Sequence, residues 1–131
     1  MSDVTVQGEL GSKPTITIPD TEPPAELVIE DLVEGDGAET GENATVTVHY
    51  VGVSWTNDGQ QFDASWDSGS TISFGLNQVI AGWTKGIPGM RIGGRRLLII
   101  PPDMGYGRQS PTPAIAANDT LVFVIDLVDI G

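Results

Sequence analysis

The sequence predicts an α+β fold, a curved antiparallel sheet of five or six strands wrapped around one short helix. Three observations lead there. Several stretches alternate apolar and polar residues with a period of two, as half-buried strands do. Short clusters of Gly, Asn, Asp and Pro separate most of them, and short turns join antiparallel neighbours. Only one stretch, "QVIAGWTKG", has helical character.

The elements follow in order. Residues 1–24 mix Gly, Pro, Thr and acids and end in "PDTEPP". That composition predicts a mobile or loosely docked arm, with "VTVQGELG" and "TITIP" as candidate short strands. The folded domain is expected over residues 25–131. It opens with "ELVIEDLVEG", a strand, and then "GDGAETGE", a turn rich in residues that tolerate positive φ. In "ATVTVHYVGVSW", Val46, Val48 and Tyr50 share one face and Thr45, Thr47 and His49 the other. "TNDGQQF" reads as a hairpin turning at Asp58-Gly59, and "STISFGL" as a further strand. The helix is expected around Val79 to Lys85, weakened by Gly82 and Gly86 and closed by Pro88. "MRIGGRRLLIIPP" predicts a strand with a bend at Gly93-Gly94. "DMGYGRQSPTPAIAAND" is a long loop, which in a small domain points to function. "TLVFVIDLVDI" is the strongest strand, with Leu121, Phe123, Ile125 and Leu127 on one face.

The net charge is −12, and it is unevenly placed: 11 of the 18 acids lie at or before Glu42, with Lys13 the only base there. Such a chain repels nucleic acid and anionic membrane, so neither is expected as a partner. The start carries no basic stretch followed by an apolar one, and "LLIIPP" is far too short to cross a bilayer. A soluble, cytoplasmic, monomeric protein is expected; the lack of cysteine fits a reducing compartment.

The chemistry-bearing residues are few. His49 is the only histidine and there is no cysteine, so a zinc site would need carboxylates almost alone. A Ser-His-Asp triad would have to use His49, and no nucleophile-elbow motif is present. No metal and no cofactor are expected. Asp63 and Asp67 in "FDASWD" are close in sequence, and Asp67 reads as a solvated turn acid. The arginines of "MRIGGRR" are expected on a strand with their heads in water. What remains is a set of rings and aliphatics set among glycines: Tyr50, Phe62, Ile72, Phe74, Val79, Ile80, Trp83, Tyr106, Ile115 and Phe123. Tyr106 stands in a "GYG" loop, where a core residue is not expected.

Five motifs, "VTVHYVG", "FDAS", "QVIAGWTKGIPGMRIGGRR", "IPPDMGYG" and "TLVFVIDLV", occur in an order and at spacings that resemble FKBP-type peptidyl-prolyl cis-trans isomerases. The resemblance covers about residues 26–130. It implies a sheet curled on one helix and an apolar pocket that holds a proline ring, with Trp83 as its floor. Tyr50, Phe62, Ile72, Val79, Ile115 and Phe123 would line it, and Gly82 would let the helix sit close to the sheet. The Ile80 backbone N–H and the Tyr106 hydroxyl would bind ligand carbonyls, and Asp63 would border the imide. The implied partners are proline-containing peptides and folding proteins, and macrolides of the tacrolimus and rapamycin type. The alternative is a proline-binding or chaperone module of the same fold. The stretch from Tyr106 to Thr120 is too short for an inserted chaperone domain, which favours the isomerase.

Overall fold

The computed structural model describes residues 4–130; residues 1–3 of the expected arm and Gly131 of the expected domain lie outside it. Nine elements are labelled here: β1 (Thr5–Gln7), β2 (Thr15–Thr17), β3 (Val28–Val33), β4 (Thr45–Ser54), β5 (Gln60–Ala64), β6 (Ile72–Gly75), α1 (Ala81–Gly86), β7 (Arg95–Ile100) and β8 (Leu121–Ile130). β1 and β2 pair antiparallel as a separate hairpin. The main sheet runs β3-β7-β8-β4-β5. β6 pairs with the first half of β4, and β5 with its second half. Every pairing is antiparallel.

Curvature has local causes. Register shifts occur at Asp31/Val33 against β7, at Thr47/Val48 against β8 and at Gly52/Val53 against β5. Each shift strengthens the local twist and bends its strand. The concave face gathers Val46, Val48, Tyr50, Leu98, Ile100, Phe123 and Ile125 into a core with Trp83 of α1. The helix reaches that face through its glycines. A Cβ at Gly82 would stand 2.6 Å from the Ile100 side chain, and one at Gly86 would stand 2.7 Å from Leu98. No side chain fits there without moving its neighbours.

The opposite face of the sheet is apolar too, because β7 and β8 read "RRLLII" and "LVFVI" without alternation. Val51, Val53, Leu97, Ile99, Val122 and Val124 form a second core, and it needs a cover. The amino-terminal hairpin supplies one. Val4 is buried there, and Val6, Ile16 and Ile18 pack against the same cluster. Of the two expected states, a mobile or a loosely docked arm, the hairpin is docked, because the sheet behind it demands a cover that polarity along the chain does not register.

The arginines correct one expectation. Arg95 is only 2 % exposed and Arg96 only 7 %. On the convex face, Arg95 donates through Nε to Asp126 Oδ1 at 2.6 Å and through a terminal nitrogen to Asp126 Oδ2 at 2.9 Å. The same guanidinium donates to the carbonyls of Ser12, at 2.7 Å, and Gly8, at 3.3 Å, within the hairpin. The Gly11 N–H returns a bond to Asp126 at 2.9 Å, and Trp66 donates to the Gly11 carbonyl at 3.2 Å. An exposed Lys13–Asp67 pair at 2.7 Å adds to the docking, and hydrogen bonds from Lys13 and Gln61 hold the Asp67 carboxyl below its usual range. On the concave side, Arg96 pairs with Asp31 at 2.6 Å and donates at 2.7 Å to the carbonyl of Gly86. It thereby satisfies a carbonyl that the end of α1 leaves open.

A buried pair whose two members are both needed makes a specific prediction. Arg95→Met should lower the unfolding free energy by about 3–5 kcal/mol, because it strands the Asp126 carboxylate in the sheet. The double variant Arg95→Met, Asp126→Leu should recover much of that loss, and urea unfolding of the two variants measures the difference.

Candidate functional site

The concave core opens on one side into a cavity of about 690 Å³. Each wall comes from a different element. β4 contributes Tyr50, β5 contributes Phe62 and Asp63, and β6 contributes Phe74. The segment entering α1 contributes Gln78, Val79 and Ile80, and β8 contributes Phe123. The long loop before β8 brings Tyr106, Pro111, Thr112 and Ile115.

Trp83 forms the floor, 3 % exposed, and its surroundings are rings set on edge. Its centroid lies 5.3 Å from Tyr50, 5.1 Å from Phe74 and 5.3 Å from Phe123, with interplanar angles of 84°, 81° and 83°. Phe62 meets Phe123 in the same way at 5.4 Å and 83°. Perpendicular rings at these distances attract through edge-to-face quadrupoles, about 0.5–1.5 kcal/mol per pair beyond burial. They also keep one another from rotating, so the floor is a preset surface. Gly52 makes the arrangement possible on β4. A Cβ there would lie 2.6 Å from Phe62 and 2.7 Å from Phe123.

Polar groups are sparse and fixed. The Tyr50 hydroxyl donates to Asp63 Oδ2. Burial first, then the hydrogen bond and charge of Asp63, push the Tyr50 phenol well above the ordinary tyrosine range. Tyr50 therefore remains a donor at neutral pH and holds the carboxylate at the rim. The Ile80 carbonyl accepts from Trp83 N at 3.0 Å and Thr84 N at 3.1 Å, starting the helix, while its own N–H enters none of these bonds. Thr84 Oγ1 donates to the Leu76 carbonyl at 2.7 Å and ties α1 to the end of β6. Among the described residues, the buried indole N–H of Trp83 has no hydrogen-bond partner. Tyr106 is 38 % exposed and stands at the mouth.

The structure thus brings together Tyr50, Phe62, Asp63, Val79, Ile80, Trp83, Tyr106, Ile115 and Phe123. It does not bring Ile72 into the lining. That side chain packs against the core, and Phe74, two residues along on the same face of β6, supplies the ring instead. The alternation of "STISFGL" marks both residues as inward and cannot say which one reaches the cavity. Gln78, Pro111 and Thr112 also line the cavity. Pro111 and Thr112 lie in a loop whose path no periodicity specifies. His49 lies apart from the lining: its ring stacks on Trp66 at 4.9 Å, and Nδ1 is 2.9 Å from Ser65 Oγ. A smaller hollow of about 170 Å³ beside β3 is lined by Asp31, Glu34, Arg91 and Arg96 among others. Its two arginines already pair, Arg96 with Asp31 and Arg91 with Glu39. Among the described residues, no group of three or more His, Asp or Glu side chains is placed to hold a metal ion.

A preset ring box with a few fixed donors at its rim has the shape and chemistry to hold a small apolar group away from water. The family model of FKBP-type peptidyl-prolyl cis-trans isomerases matches residues 37–128. An FK506-binding protein of Streptomyces anulatus is 50% identical over 119 residues, spanning 88% of this chain and 95% of that one. An FK506-binding protein of Neisseria meningitidis serogroup A is 43% identical over 106 residues, spanning 79% and 95%. Among solved structures, a peptidyl-prolyl cis-trans isomerase from Pseudomonas syringae superposes with a TM-score of 0.72 at 33% identity, over 80% of this chain and 75% of that one. The chain belongs to the FKBP-type peptidyl-prolyl cis-trans isomerase family. It is a peptidyl-prolyl isomerase, and its substrates contain proline.

The Tyr50–Asp63 pair has a pH signature. The fold favours the neutral phenol, so its contribution to stability is complete below about pH 10 and is lost as pH rises beyond that. Tyr50→Phe removes the titrating group. The variant should lose less stability than wild type between about pH 9 and 11, as read by urea midpoints at each pH.

Proposed function

We propose that the chain rotates X–Pro bonds with the proline ring seated on Trp83, and that no covalent intermediate forms. The observation that carries this reading is the box of perpendicular rings around Trp83. The barrier to rotation, about 18–20 kcal/mol, is the loss of amide resonance, and the planar imide carries more charge separation than the twisted one. An apolar seat therefore disfavours the planar ground state relative to the transition state. The Ile80 N–H, which has no acceptor among the described residues, and the Tyr106 hydroxyl at the mouth are the groups to hold the flanking carbonyls while the bond turns. Asp63, held by Tyr50, borders the imide.

The same seat would take a tacrolimus-like macrolide, and relatives that carry FK506-binding in their names support this. Folding proteins are the natural substrates in this reading, since slow X–Pro exchange, about 10–100 s, limits their folding. A cytoplasmic monomer fits a chain without cysteine. Cell fractionation and sedimentation test those two points.

The seat itself is tested at Trp83. Trp83→Leu should keep the fold at a cost of about 1–3 kcal/mol, while isomerisation of an X–Pro peptide and tacrolimus binding both fall at least about tenfold. Undiminished binding would put the pocket elsewhere. Exchange spectroscopy of the same peptide tests the mechanism. Histidine is the side chain that ordinarily changes charge near neutrality, and the only one here lies outside the lining. A flat kcat/KM from about pH 6 to 8 is expected, whereas a bell-shaped profile would reveal proton transfer.

A further inference from the structure

The loop over the pocket is held from outside it. Its base is closed by the Asn118 N–H donating to the Gly107 carbonyl at 2.7 Å. Between those residues Pro111, Thr112 and Ile115 reach the cavity. Two further ties come from residues that do not line the pocket, in the turn between β4 and β5 and at Asp119.

Asp119 is 2 % exposed and accepts three hydrogen bonds. Oδ2 takes one from Ser54 Oγ and one from the Ala116 N–H at 3.0 Å. Oδ1 takes one from the Thr56 N–H at 3.0 Å. One carboxylate thus binds the β4–β5 turn on one side and the flap on the other. A second tie lies nearer the flap tip, where Asn57 Nδ2 donates to the Ala114 carbonyl at 2.7 Å. Ala114 directly precedes Ile115, which is buried against the rings. The Ser110 hydroxyl, within hydrogen-bonding distance of the Thr112 and Ile115 carbonyls, stiffens the flap internally, so that it shifts as a unit when its ties change.

We propose that Asn57 and Asp119 are positioning residues for substrate, acting through the flap: the β4–β5 turn sets where Pro111 to Ile115 stand over the pocket. The inference rests on the pocket being the substrate site. With the ties in place, the flap is ordered before substrate arrives and the complex need not be charged with ordering it. Without them, binding weakens while the ring floor that lowers the barrier stays as it was. The loss should fall on KM and leave kcat nearly alone.

Asn57 is the better test, because it is only half-buried and its removal leaves the Asp119 bonds intact. Asn57→Ala should raise KM for an X–Pro tetrapeptide about fivefold, the worth of one hydrogen bond. Asn57→Asp should raise it further, because a carboxylate then faces the Ala114 carbonyl. In both, kcat should stay within about twofold. Hydrogen exchange of the Ile115 and Ala116 amides, measured on the free protein, should quicken in the same order. That readout needs no activity, so it judges the latch even if the pocket were not the substrate site. Failure of the pocket would show separately, as a Trp83→Leu variant with unchanged turnover. Unaltered exchange at Ile115 and Ala116 in both Asn57 variants, or a loss carried by kcat with KM unchanged, would overturn the proposal.

Discussion

The close approach of α1 to β7 is the contact on which the rest of the site depends. It exists because two side chains are missing. Gly82 and Gly86 present bare backbone to Ile100 and Leu98, at separations that no Cβ could share. A six-residue helix has little stability of its own. Here it is held by contact with the sheet, by Thr84 bonding back to Leu76 and by Arg96 bonding to its final carbonyl. Because the backbone sits so low, Trp83 between the two glycines is buried within the curl of the sheet. The rings of Tyr50, Phe74 and Phe123 then meet its plane on edge. Glycine, a poor helix former, gives this helix its depth.

The sheet solves two packing problems at once. Its concave side carries the rings of the pocket, and its convex side carries an aliphatic layer that has to be covered. The amino-terminal hairpin covers that layer and is locked by Arg95 and Asp126, cross-strand partners on β7 and β8. Trp66, with Arg95 5.8 Å from its ring, bonds to the hairpin at Gly11, and Trp55 bonds at 3.1 Å to Thr21 farther along. Two of the three tryptophans therefore serve the convex side, and only Trp83 serves the pocket.

Much of this was legible in the sequence, and the limits follow from range. Alternation in "ATVTVHYVGVSW" and "TLVFVIDLVDI" gave the inward residues of β4 and β8, because a two-residue period is local. Asp58-Gly59 marked its hairpin for the same reason: both residues adopt positive φ, 56° and 85°. Most pocket residues could be named because the motifs around them resemble a known family. The docked hairpin could not be seen, since Arg95 meets the Gly8 carbonyl 87 residues away. Polarity alone misjudged Arg95 and Arg96, because a guanidinium can be buried when carboxylates and carbonyls converge on it from distant strands. One clue was present: "RRLLII" does not alternate, and a strand apolar on both faces has to be covered on both. The choice between Ile72 and Phe74 depended on reach, which strand periodicity does not encode. Asp119 drew no attention because a lone acid beside a strand says nothing about three donors folded around it.

The place of β8 has a consequence for biosynthesis. It is the central strand, between β7 and β4, yet it follows both in the chain. β4 is translated some seventy residues ahead of it, several seconds at roughly 5–20 residues per second. During that interval β4 can pair with β5 and β6, but its other edge is open and its valines and Tyr50 lack their opposite wall. The hairpin emerges earlier still and has no surface to dock on until β7 and β8 are out. The hairpin thus waits for strands that follow it in the chain, and the nascent chain passes through a stage in which an unpaired strand edge and the ring set lie uncovered together. That is the stage at which a ribosome-bound chaperone has the most to protect.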